Sequence, residues 1–224
     1  MGLWTVWDIG PATAAVVALA VAFVLSVPLA RAAYLMPRLL DAGIPSEPSP
    51  SHKRYRAGFW VVAPILGLVC SWRYGATLAT VAAIVFVVML LALAWVDAET
   101  GFLPDMLTIP LLWLGLLVNL GDTFSMLPDA VLGAAGGYMV LWVICGGFTW
   151  VTGRQGMGYG DFKLLGALGA WLGWASLPWV LLVSSLLALS IALLRLMSGR
   201  LTAGQPFSFG PYLAVVGIAA LLRL

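Results

Sequence analysis

From Ala76 to Val96 the chain carries no charged residue and only two hydroxyls, Thr77 and Thr80. A helix of that length and composition is apolar all round, so it belongs in a membrane or deep inside a protein rather than on a wetted surface. Comparable runs, bounded by Pro, Gly or charge, recur near residues 12–36, 57–72, 76–96, 105–120, 127–152, 161–174, 176–197 and 209–223. With 62% of its 224 residues hydrophobic and 9% charged, the chain has too little polar surface to coat a soluble globule. The pattern predicts an all-α, polytopic membrane bundle of about eight transmembrane or half-membrane helices, forming one domain over residues 1–224. Segments 57–72, 161–174 and 209–223 fall short of the roughly 20 residues that cross a bilayer, and are expected to be tilted or sheltered by neighbours.

A net charge of +2, with the basic residues scattered, excludes a nucleic-acid interface. Cys70 and Cys145 lie in apolar runs without CxxC or Cys/His spacing and are expected to be packing residues. The first apolar run exceeds a signal-peptide core and lacks a basic lead-in, so it is read as a retained helix. The sizeable loop, Pro37–Arg56, is proline-rich and then basic, which predicts an extended cytoplasmic segment suited to anionic lipid headgroups. Eight helices starting from an outer N-terminus would gather Arg31, Arg38, Lys53, Arg54, Arg56, Arg154, Lys163, Arg195 and Arg200 inside, leaving Arg73 and Arg223 outside. Trp171, Trp174 and Trp179 would then form an outer interfacial belt.

That topology also brings two acidic turns to one face. One is Gly156-Met157-Gly158-Tyr159-Gly160-Asp161-Phe162-Lys163, where glycines permit positive φ and close approach. Asp161 there is either a helix N-cap or an acid with a chemical role. The other is Asp97-Ala98-Glu99-Thr100-Gly101-Phe102-Leu103-Pro104-Asp105, which closes the third apolar run. Two carboxyl groups held close cannot both ionise easily; they share a proton, so one can serve as base while the other serves as acid. Asp105 is expected to cap the following helix, and Glu99 to be a solvated turn residue that is able to tune the field of the pair. Lys163 is expected off the face of Asp161, snorkelling to headgroups or reaching Glu99. The small-residue stripes Gly133–Gly137 and Gly166, Gly169 and Gly173 are expected to pack helix backbones together. Two carboxylates without His or Cys partners make a poor transition-metal site, so no metal or cofactor is expected.

The Gly158-Tyr159-Gly160-Asp161 motif, the aspartate-to-LeuProAsp turn and the run Lys163–Trp171 together strongly resemble the type IV prepilin peptidases, membrane aspartic proteases with a GxGD motif. The resemblance extends from about Trp60 to the C-terminus. It implies Asp97 and Asp161 as the catalytic pair, with Gly158, Gly160, Glu99, Asp105, Lys163, Pro206, Phe209 and Gly210 shaping the site. It also implies removal of a short basic leader from a prepilin or pseudopilin, commonly between Gly and Phe. The expected setting is the bacterial inner membrane, with a cytoplasm-facing site, membrane lipid around it, and pilus or secretion assembly components as possible partners. Many relatives carry CxxC pairs and an N-methylation region in a long first loop. That region is missing from residues 37–56, which argues for peptidase activity alone. The rivals are a bifunctional peptidase/N-methyltransferase and, from another class, a transporter whose acids relay ions or protons near mid-membrane.

Overall fold

The computed structural model describes residues 10–40, 50–153, 157–199 and 208–223. Among them are eight α-helices and no strand: α1 Pro11–Leu40, α2 Pro50–Tyr74, α3 Leu78–Thr100, α4 Asp105–Val118, α5 Leu127–Thr152, α6 Tyr159–Leu172, α7 Leu177–Met197 and α8 Gly210–Leu222. The expected helix count and class hold. Five helices, α1, α2, α3, α5 and α7, belong to segments long and apolar enough to cross a membrane.

Two expectations about length are corrected. The second segment is not short: α2 has 25 residues because the helix begins at Pro50 and continues through His52–Arg56. Proline suits a helix's first turn, and Lys and Arg are good helix formers, so the basic stretch extends the helix instead of interrupting it. The extended loop expected over 37–56 is therefore largely helical, since α1 runs on to Leu40; residues 41–49 lie outside those described. The short helices are α4, α6 and α8, of 14, 14 and 13 residues.

The core is built around α3. Of its most apolar stretch 72% is buried, against 17–28% in the other four spans, so it is the one enclosed by neighbours. It packs against α1, α2 and α8 and touches α4. Phe86, Val87, Leu90 and Leu93 of α3 are fully buried, while Val16, Trp72, Trp113, Trp142 and Leu182 on the other helices are exposed, as a lipid-facing surface requires.

The second half of the bundle is held by glycine. A Cβ at Gly133 of α5 would sit 2.5 Å from the Gly169 carbonyl oxygen of α6, and one at Gly137 would sit 2.7 Å from that of Leu165. Only hydrogen at these positions lets the two backbones touch, as the small-residue stripes suggested.

Trp171 is corrected from interfacial anchor to core residue. It is fully buried, its indole N–H donates to the Leu111 carbonyl at 2.8 Å, and its ring lies on Gly115. A tryptophan whose N–H finds a partner inside loses its reason to seek the interface. Trp174 and Trp179, 52% and 65% exposed, remain at the surface. Beside Trp171, the Asn119 amide donates to the carbonyls of Ala170 (2.9 Å) and Trp171 (3.1 Å). These are free carbonyls of the last turn of α6, so Asn119 closes that helix end from another chain segment.

Candidate active site

Asp97 lies in the last turn of α3, which Gly101 ends in the left-handed conformation (φ 68°) with its N–H bonded to the Asp97 carbonyl. Asp161 lies in the first turn of α6. Both are buried, 4% and 8% exposed. The N-cap of α6 is Gly158 and makes no side-chain cap bond, so Asp161 is not the cap that its position suggested. Oδ2 of Asp97 and Oδ1 of Asp161 are buried with no hydrogen-bond partner. Two buried acids on different helices thus lie at one end of the bundle.

Glycine and one leucine set that proximity. A Cβ at Gly210 would meet Asp97 Oδ2 at 2.7 Å and Leu103 Cδ1 at 3.3 Å, while a Cβ at Gly160 would meet Leu103 Cβ at 2.8 Å. Leu103, 5% exposed, is thereby wedged between the starts of α6 and α8, and closes the floor under both acids. Ser208 adds a tie, donating its hydroxyl to the Asp97 carbonyl at 2.8 Å. Phe209 is the residue before α8 and packs against the core. Pro206 lies outside the described residues, as does Gly156.

The glycine-rich motif works by space rather than by unusual backbone. Gly158 has φ −75° with nothing near its missing Cβ, and neither it nor Gly160 has positive φ. The permissive φ expected of this turn is not used at these two positions.

The remaining charged candidates pair differently from expectation. Lys163 reaches both carboxylate oxygens of Asp105 at 2.7 Å, at the surface. It does not contact Glu99. The N-cap of α4 is Pro104, so Asp105 is an ion-pair partner rather than a cap. Glu99 is not a solvated turn residue. Its side chain is 12% exposed and accepts the Trp95 indole N–H at 3.0 Å, with His52 Nδ1 at 2.9 Å and Arg38 Nη2 at 3.6 Å. His52 is 2% exposed and lies against the rings of Tyr34 and Trp95, both at 4.9 Å. The sequence reading passed over this histidine. The available signal was the need of an acid at a membrane helix end for a partner, but nothing local pointed 47 residues upstream.

Cys70 and Cys145 are free. Among the described residues no three His, Cys, Asp or Glu side chains converge as metal ligands.

A bundle with five helices long and apolar enough to cross a membrane, and two buried carboxyl groups at one end, defines a polytopic membrane protein. Residues 84–193 match the type IV leader peptidase family. The prepilin leader peptidase/N-methyltransferase of Dickeya chrysanthemi is 50% identical over 151 residues, 67% of this chain and 53% of that protein. The proteins of the same description from Neisseria gonorrhoeae and Pseudomonas putida are each 46% identical, over 68% and 70% of this chain and 52% and 55% of their own lengths. The chain thus spans about half the length of these curated relatives. No solved structure shows a significant match.

Proposed function

We propose that this protein is an aspartic endopeptidase that removes the leader from a prepilin or pseudopilin, with Asp97 and Asp161 as the catalytic pair. The observation that carries this is the pair of buried carboxyl groups at one end of the bundle, each with an oxygen that nothing in the fold occupies. In the reaction, the ionised member takes a proton from water, and the resulting hydroxide attacks the scissile carbonyl. The protonated member polarises that carbonyl oxygen and then supplies the proton that lets the amine leave. The pair titrates as a unit, so the roles belong to the pair and not to either residue beforehand. Buried oxygens free of protein partners are what such a cycle requires, because water and the carbonyl must take their places.

The position of the acids favours this reading over an ion relay. Asp97 and Asp161 sit in the last and first turns of their helices, not at mid-helix where a transmembrane relay needs them. The end of the bundle that holds them also carries Arg31, Arg38, Lys53, Arg54, Arg56, Lys163 and Arg195, while Arg73 and Arg223 mark the other end. By the positive-inside rule that is the cytoplasmic end of an inner-membrane protein. We read the chain as a single domain that cleaves without methylating, because only residues 41–49 separate α1 from α2. That separation leaves no room for the long first loop expected of a two-activity enzyme.

The test is incubation of the purified protein with candidate prepilins in proteoliposomes, with and without S-adenosylmethionine, mapping the products by mass spectrometry. Cleavage at one bond is expected, with an unmethylated new N-terminus. Asp97→Asn and Asp161→Asn should each lower the rate at least about a hundredfold, since an amide replaces neither acid nor base. Processing near wild type in either variant would sink the mechanism, and an added methyl group would refute the single-activity reading.

A further inference from the structure

A cavity of about 720 Å³ opens between α1 and α2 and is lined by Arg31, Tyr34, His52, Arg56 and Trp60 together with aliphatic side chains. Its volume falls within the range of small-molecule sites. Among the described residues no Asp or Glu lines it. Among the described residues neither Arg31 nor Arg56 is paired with a carboxylate; the neighbouring carboxylate, Glu99, is engaged by His52 and Arg38. Arg31 lies nine positions before the end of α1 and Arg56 six positions after the start of α2. Both arginines are exposed and line the cavity, so an anion from the solvent or the headgroup layer can reach them.

We infer that this cavity binds a phosphate-bearing anion, with Arg31 and Arg56 as its ligands. Guanidinium groups present paired N–H donors that match phosphate oxygens two at a time. Trp60 and Tyr34 supply the amphipathic walls that membrane interfaces favour, so the remainder of the ligand can be apolar. His52 joins the cavity to the Glu99 pair on α3, two residues from Asp97, which places the bound anion at the level of the acid site without being part of it. The shared chemistry is the phosphate group of either an anionic phospholipid or a soluble phosphate ester, and the inference stands independently of the peptidase reading.

The test uses the full chain in nanodiscs of phosphatidylcholine alone, of phosphatidylcholine with phosphatidylglycerol, and of phosphatidylcholine with added inorganic phosphate. Native mass spectrometry reads retained lipid, and titration calorimetry reads inorganic phosphate. Wild-type protein is expected to retain phosphatidylglycerol, and Arg31→Gln with Arg56→Gln to lose that retention by roughly tenfold per arginine. Arg73→Gln with Arg223→Gln, at the opposite end, should leave it unchanged. Phosphatidylglycerol retention identifies the lipid as source, whereas phosphate heat without lipid retention identifies a soluble ester. Either outcome, if abolished by the glutamines, supports the site. Equal retention and equal heat in wild type and the glutamine pair overturn it, and the single variant Arg56→Gln decides by the same criterion should the pair fail to fold.

Discussion

Asp97 and Asp161 owe their setting to residues that have no side chain. Gly210 leaves 2.7 Å where a Cβ would press on Asp97 Oδ2, and Gly160 leaves 2.8 Å against Leu103. Gly210→Ala should push Asp97 out of line at a cost of about 1–3 kcal/mol, and lower cleavage at least tenfold by displacing a reacting oxygen. Gly158→Ala meets nothing within 4 Å at φ −75° and should change stability by no more than about 0.5 kcal/mol. Thermal unfolding and cleavage rates of the two variants check this; similar losses in both would mean that the motif works through backbone freedom after all. That Asp97 ends one apolar helix and Asp161 opens another was legible in the sequence, because each acid borders an apolar run. The partners of Glu99 were not, since His52 and Arg38 approach it only once α1 and α2 have packed on α3. Lys163 misled for a related reason: its distance from Asp161 was readable, but its real partner, Asp105, lies across the gap between α4 and α6.

Among the elements, α5 and α6 depend on contact so close that one methyl group decides it. A Cβ at Gly169 would collide with the Gly133 carbonyl, whereas one at Gly136, on the same stripe, meets nothing within 4 Å. Gly169→Ala should therefore destabilise the bundle by several kcal/mol or prevent assembly, because α5 must move its backbone. Gly136→Ala should be neutral or stabilising by up to about 1 kcal/mol, as Ala is the better helix former. Melting curves in detergent distinguish them, and equal effects would remove the seam from the account. Helix number and type were readable from run lengths, since eight apolar stretches became eight helices. Their limits near charge were less so, because arginine and lysine at 53–56 extend α2 while the sequence suggested a break there. Trp171 shows the same limit for a side chain: its fate turned on Leu111 and Gly115, residues on another helix.

At the scale of the whole molecule, alternating helices place the acid pair and most basic residues at one end. In protein freed of Cys70 and Cys145, Met126→Cys should react with an impermeant maleimide added outside intact cells. Ser198→Cys, at the acid-pair end, should react only after the cells are opened. The reverse pattern would put the acids on the outer side. The two unpartnered carboxyl oxygens bear on thermal endurance as well as on chemistry. A buried polar atom left without a partner costs about 1–3 kcal/mol, a sizeable part of the roughly 5–15 kcal/mol that holds a typical fold together. An asparagine at either position would relieve the like-charge conflict and offer its neighbour an N–H donor. The inactive variants should then melt higher than the working protein, by about 2–4 °C for each kcal/mol recovered. A lower melting temperature for both would show that the pair stabilises the bundle instead of straining it. If they do melt higher, this bundle gives up some of its heat resistance so that water and a peptide carbonyl can find two acids waiting for them.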